Sequence, residues 1–197
     1  MAPTSAEAKA RPVIPATAAM DETREPTTAA GASLPSDAPW LTAAAVEQAQ
    51  RILRSHQRAF GRPLLGGLPA DASPRQWAQA LFSSGTVVLS HDGQDPGGDP
   101  GPRLTYANRS ALQLWRRPWA ELVGMPSRLT AEADARPDRA RMLQQARQAD
   151  ALQGYCGIRI DSQGRRFQIR GARLWTLWDA SGQVCGQAAA FSDWHWL

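Results

Sequence analysis

Cysteine is scarce: Cys156 and Cys185 are the two thiols in 197 residues. Neither has a second Cys or a His at metal-ligand spacing, so the chain shows no disulfide framework and no zinc site. Both fall within expected strands, where a free Cys commonly behaves as a small buried hydrophobe. Lysine is scarcer still. Lys9 stands alone among 22 basic residues, and the rest are arginine. No apolar run approaches the ~18 residues that a membrane helix needs. The apolar pair Val13-Ile14 is flanked by Pro12 and Pro15 and is no secretory core. The chain is therefore expected in the cytoplasm, with no membrane partner. G-x-S-x-G, H-E-x-x-H and phosphate-cradling glycine loops are missing too. His56, His91 and His195 are scattered and have no nucleophile motif beside them. No catalytic residue is assigned, and a non-enzymatic role is expected.

Charge divides unevenly. Up to Pro39 there are three basic and five acidic residues; from Trp40 onward there are nineteen and thirteen, a net of +6. A basic surface is the electrostatic footprint of nucleic-acid binding, but no DNA- or RNA-binding motif accompanies it. The near-exclusive use of Arg points to codon bias, and acidic protein partners are a better expectation than nucleic acid. The acidic loop between His91 and Pro102 lacks the order and the terminal Glu of a calcium loop, so it reads as solvated.

Residues 1–39 are Ala, Pro, Thr and Ser with scattered charges. Such a segment buries too little apolar surface to offset its ordering entropy, so a disordered tail is expected. Residues 40–82 form a helical segment. Val46, Ala49, Leu53, His56 and Phe60 recur at spacings of three and four, which predicts an amphipathic helix from Trp40 to Phe60 stopped by Gly61 and Pro63. His56 lies on that stripe, where a packed histidine is the plain reading and a haem or metal ligand would need a second ligand. A second helix is expected from Ser73 to Phe82, with Ser73 as N-cap and Pro74 at the first position.

The period then changes. Thr86 to Ser90 and Arg103 to Ala107 are strand-forming runs that pair as a hairpin across a Gly/Pro-rich loop. Asn108 caps a helix over Arg109 to Trp115. Trp119 to Val123 is a helical turn closed by Gly124. A longer helix spans Asp138 to Asp150, with Met142, Leu143 and Ala146 on one face. From Tyr155 to Trp194 three strand-forming runs are joined by Asp161-Ser162-Gln163-Gly164 and Asp179-Ala180-Ser181-Gly182. Asp first and Gly last suit four-residue turns, so this is a three-stranded antiparallel meander. Ile158 and Ile160 alternate with Arg159 and Asp161, and Phe167 and Ile169 with Gln168 and Arg170. Gly171 breaks the rhythm as a bulge would, which leaves the facing of Trp175 and Trp178 open. One sheet face must bury against the intervening helices, and the other carries Arg side chains.

Two strands, a helical excursion and a meander make an α+β chain on the PAS-domain plan: a five-stranded antiparallel sheet with helices packed on one face, preceded by an N-terminal amphipathic helix and a disordered tail. The core spans residues 83–194, and residues 195–197 read as a short C-terminal tail. The chain resembles the MEKHLA family, a PAS-related group, in its bacterial stand-alone form. The matching residues are Val88-Leu89-Ser90-His91, Tyr106-Ala107-Asn108, the string from Pro126 to Glu132, Tyr155, Gly157-Ile158-Arg159-Ile160, Gly164-Arg165-Arg166-Phe167, Trp175 and Gly186-Gln187-Ala188-Ala189. They cover about Ala49 to Trp194. The loop Gly93 to Pro102 is longer and richer in Gly and Pro than the family pattern.

The resemblance implies a sensory or regulatory module that binds a small molecule between sheet and helices, or dimerises through sheet and N-terminal helix. In plants this module ends homeodomain–leucine-zipper transcription factors; neither of those parts is present here, so DNA binding does not carry over. No residue pattern names a cofactor. A flavin photosensor of the PAS type needs a reactive Cys on a helix, and both cysteines here lie in strands. The polar ligand-binding candidates are Tyr106, Asn108, Ser127, Arg128, Tyr155, Arg159 and Gln187, with Trp115 and Trp175 as aromatic walls. An arginine in such a pocket favours a carboxylate or phosphate, because its planar fork meets both oxygens. Each candidate also has a plainer reading: Asn108 as a cap, Arg159 on a solvated face, Tyr155 and the tryptophans as core. The alternative function is a ligand-free interaction module or homodimer, supported by the amphipathic helix and the Trp-rich end Trp194-His195-Trp196-Leu197. An uncharacterised enzyme ranks third.

Overall fold

The computed structural model describes residues 38–69, 71–133 and 136–197. The expected disordered tail lies outside them except for its last two residues. A 3-10 turn at Pro39–Leu41 leads into α1 (Ala43–Phe60), capped by the Thr42 side chain and ended by Gly61 in the left-handed region at φ 66°. α2 (Pro74–Ser83) carries a full capping box between Ser73 and Gln76, with Pro74 at its first position. β1 (Val87–Asp92) and β2 (Leu104–Ala107) pair antiparallel. α3 (Arg109–Trp115), α4 (Trp119–Leu122), a 3-10 turn at Ser127–Thr130 and α5 (Arg136–Gln148) form the excursion. β3 (Ala151–Ile160), β4 (Arg166–Trp178) and β5 (Val184–Phe191) are the meander.

The strands run in the order β2-β1-β5-β4-β3, all antiparallel, which is the five-stranded antiparallel sheet expected from the sequence. A sixth strand, β6 (Asp193–Trp196), corrects the expectation of a C-terminal tail. β4 is longer than β5 can cover, so β6 pairs the remaining stretch from Phe167 to Arg170. Its Trp194 and Trp196 rings lie edge-on to Phe167, with centroids 6.1 and 5.6 Å away.

Both faces of the sheet are covered. On one, Leu89, Phe167, Ile169, Ala172 and Leu174 pack against α3 and α5. On the other, Val88, Trp175, Leu177, Ala188 and Ala190 pack against α1 and α2. The buried face of α1 is Ala45, Ala49, Ile52 and His56, a stripe turned slightly from the expected one; Val46, Leu53 and Phe60 flank it half-buried. Gly171 explains the facing of Trp175. Between the pairs Tyr155↔Ala172 and Gly157↔Ile169, β4 holds one residue more than β3, and Gly171 takes φ 60° there. This bulge switches parity, because side chains alternate strictly along an extended strand. Phe167 and Ile169 face α5, then Ala172 and Leu174 do, and Trp175 is delivered to α1.

β3 corrects a second expectation. Its alternation has period two, but Arg159 sits directly opposite Phe167 and is buried, while Ile158 and Ile160 face the other way and are half-buried. Cys156 shares that outward parity and is exposed rather than buried. At the β3–β4 turn the Asp161 side chain is inaccessible; it accepts from the backbone N–H groups of Gln163 and Arg165 and from Arg165 Nε at 2.9 Å. Burial alone would raise its pKa, but these bonds from Arg165 and Gln163 outweigh it and hold the carboxyl below its ordinary value.

Two outcomes follow from this packing. Trp175→Ala removes a fully buried ring between α1 and the sheet, so urea denaturation should show a loss of about 3–5 kcal/mol. The contribution of Asp161 is full above the ordinary carboxylate pKa of about 4 and disappears as pH falls through its lower folded value. Thermal melts below pH 4 should therefore lose stability more steeply in the native chain than in Asp161→Asn.

Candidate functional site

The space between the inner sheet face and α5 contains a partly enclosed cavity of about 60 Å³. β1 contributes Leu89 and His91, β4 contributes Ile169 and Leu174, and β5 contributes Gln187, Ala189 and Phe191. β3 places Tyr155 and Arg159 on its floor, because those positions share the parity that faces Phe167 and Ala172. Trp115 closes one wall from the end of α3. α5 covers the cavity with Arg139, Met142 and Leu143, and Gln187 Nε2 ties that helix to the sheet through the Leu143 carbonyl at 3.1 Å.

Of the candidates read from the sequence, the structure brings together Trp115, Tyr155, Arg159 and Gln187 on this cavity. The other five are elsewhere. Trp175 is on the α1 side, with His56 edge-on at 5.0 Å. Tyr106 is fully buried on that same side, edge-on to Trp119 at 5.4 Å, and burial pushes its phenol well above the usual range. Ser127 is buried in the turn before α5. Arg128 pairs at the surface with Asp99, 2.9 Å away, and donates to the Pro100 carbonyl. Asn108 is the buried joint of the domain. Its Oδ1 accepts from the N–H groups of Val88 and Ala111, while its Nδ2 donates to the carbonyls of Thr86 and Ser84. One amide thereby fastens α2, β1 and α3, and its capping role is the one the structure displays.

His56 is equally satisfied. Its Nδ1–H donates to the Arg62 carbonyl at 3.0 Å, and Nε2 accepts from Arg173 at 2.9 Å. Burial, then the Arg173 charge, lowers its pKa to about 4, so the ring is neutral and both nitrogens are engaged. Among the described residues no cluster of His, Cys, Asp or Glu could hold a metal ion.

Arg139 is the site residue that the sequence reading missed. It lies one turn before Met142 and Leu143 and two before Ala146 on α5, at the spacing that shares their face, so a charge interrupting an apolar stripe was the available signal. Arg139 and Arg159 are 8% and 7% exposed. Among the described residues no Asp or Glu lines the cavity, and neither arginine belongs to an ion pair. Burial, and then the charge of Arg159, pushes the Arg139 guanidinium down to about 9. It remains cationic at neutral pH.

The MEKHLA domain model matches residues 46–196. This chain belongs to the MEKHLA family. No functionally curated protein matches it in sequence. Among solved structures it is similar to an RNA-binding light-oxygen-voltage receptor, at 18% identity and a TM-score of 0.53, over 66% of this chain and 35% of that one. The chain thus spans about a third of that receptor's length. A PAS domain from Colwellia psychrerythraea is similar at 13% identity and a TM-score of 0.49, over 59% of this chain and 92% of that one. The fold of this MEKHLA domain is PAS-like, an antiparallel sheet with helices. The residues do not fit a flavin. Cys156 and Cys185 lie on β3 and β5, outside the cavity lining, and about 60 Å³ is far below the ~300–1,000 Å³ of pockets for larger ligands.

Asn108→Ala should cost about 2–4 kcal/mol in urea denaturation, because it removes a helix cap and strands several buried backbone groups. Binding in the cavity should be unaffected under conditions where the variant is folded.

Proposed function

We propose that this MEKHLA domain is a non-catalytic sensory or regulatory module of the cytoplasm that binds a small molecule between its sheet and α5. The observation that supports the reading is the cavity itself. It is roofed by one helix, lined mainly by apolar side chains and furnished with a few convergent polar groups, which is the usual make-up of a ligand site. Occupancy would be felt by α5, since Arg139, Met142 and Leu143 all face the space. The competing reading, a ligand-free dimerisation module, drew on two features that the fold uses internally. α1 lays its apolar face on its own sheet, and the closing tryptophans lie along β4.

Thermal-shift screening of the full chain against small metabolites tests this function. At least one compound should raise Tm saturably, and Ala189→Leu, which fills the cavity, should abolish that rise while leaving the circular-dichroism spectrum unchanged. A chain that responds to no compound and runs as an empty dimer in native mass spectrometry would contradict the proposal.

A further inference from the structure

The polar groups that face the cavity are unusual in sign. Arg139 reaches it from α5 and Arg159 from β3, both buried, and among the described residues no carboxylate is on the lining or paired to either. A buried cation without a partner costs several kcal/mol, and two facing one space cost more, since each opposes the other. Trp115, 2% exposed, lines the same cavity as an aromatic wall.

The floor is built to hold one of these arginines in place. Arg159 donates from Nη2 to Tyr155 Oη and from Nη1 to the Ile158 carbonyl, each at 2.7 Å. These bonds use two of the five N–H donors of a guanidinium. Gly157 lies between the two side chains on the same strand face. A Cβ there would collide with Tyr155 Oη and come within 3.0 Å of Arg159 Nη1. Only a bare backbone allows the tyrosine to fold over it and clamp the arginine.

Size and wall chemistry narrow the occupant. At roughly 10–15 Å³ per water-sized group, the cavity takes about four to six non-hydrogen atoms. Ile169, Leu174 and Phe191 form an apolar wall. A phosphate would turn oxygens towards that wall and leave them unpaired, whereas a carboxylate presents two oxygens at one end and hydrocarbon at the other.

We propose that the cavity binds a short-chain monocarboxylate, with its carboxyl group held by Arg139 and Arg159 and its aliphatic end against Ile169, Leu174 and Phe191. This inference rests on the small-molecule reading above and names the ligand class. Binding supplies the negative charge that the two guanidinium groups lack, and it couples α5 to β3 through the ligand.

The test is calorimetry and thermal shift on the full chain at fixed ionic strength, with propionate, butyrate, propionamide, octanoate and inorganic phosphate as probes. Propionate or butyrate should raise Tm saturably, while the neutral amide, the long acid and phosphate should not. Arg139→Gln and Arg159→Gln should each weaken binding about tenfold or more, as loss of a charge-assisted bond requires. Without ligand, Arg139→Gln should melt no lower than the native chain, because it removes an unpaired buried charge; a marked fall would show the arginine to be structural and overturn the proposal. Gly157→Ala is a second handle, acting through the Tyr155–Arg159 clamp without touching charge, and it too should weaken propionate binding. Propionamide or phosphate matching propionate overturns the carboxylate assignment. So does the absence of any response to the short acids; if other metabolites still stabilise the chain, the small-molecule reading stands without it.

Discussion

Because helices cover the central strands on both faces, the core residues of β1, β4 and β5 are committed to one of two interiors, and a shift of one position exchanges them. The bulge at Gly171 is where that commitment is made for β4. Upstream of it, Phe167 and Ile169 face α5; downstream, Trp175 and Leu177 face α1 and α2. The Trp175 ring is thereby taken out of the cavity and made into core. What remains beside α5 is smaller and leaves a space, while β3 directs Tyr155 and Arg159 to its floor. Without the bulge, the same residues would fill the cavity with indole and present different chemistry.

Much of the architecture was readable because it rests on local rules. Ser73-Pro74 and Asn108 cap helices, Asp161 to Gly164 and Asp179 to Gly182 turn, and apolar periods separate helix from strand. The interior facing of β3 was not readable, since the apolar alternation of Ile158 and Ile160 points to the opposite face from the one that is most buried. On an edge strand, hydrophobicity identifies the period but not the side when a buried arginine has a tyrosine and a cavity to receive it. Arg139 escaped notice for a related reason: a lone charge on an apolar helix stripe looks like the stripe's end. β6 went unrecognised because its partner is the unpaired length of β4, a property of the assembled sheet and not of residues 193–197.

The candidate residues divide along the same line. Asn108, Tyr106 and Trp175 carry resemblance to the family, yet their surroundings are those of structural parts: a four-way amide joint and two buried rings on the α1 side. Tyr155, Gly157, Arg159 and Gln187 also belong to the matching strings, and they converge on the cavity or on the clamp beneath it. Two buried guanidinium groups that line one cavity, with no counter-ion among the described residues, make sense as half of an interaction. In a closed core they would be an unrelieved cost, and an apolar pair of similar volume would serve stability better.

The most direct test is a crystal structure of the full chain grown with butyrate. Flat carboxylate density is expected between the guanidinium groups of Arg139 and Arg159, with the hydrocarbon end on Ile169 and Leu174. An empty cavity in which both arginines turn to pair with acidic side chains of the chain itself would contradict it.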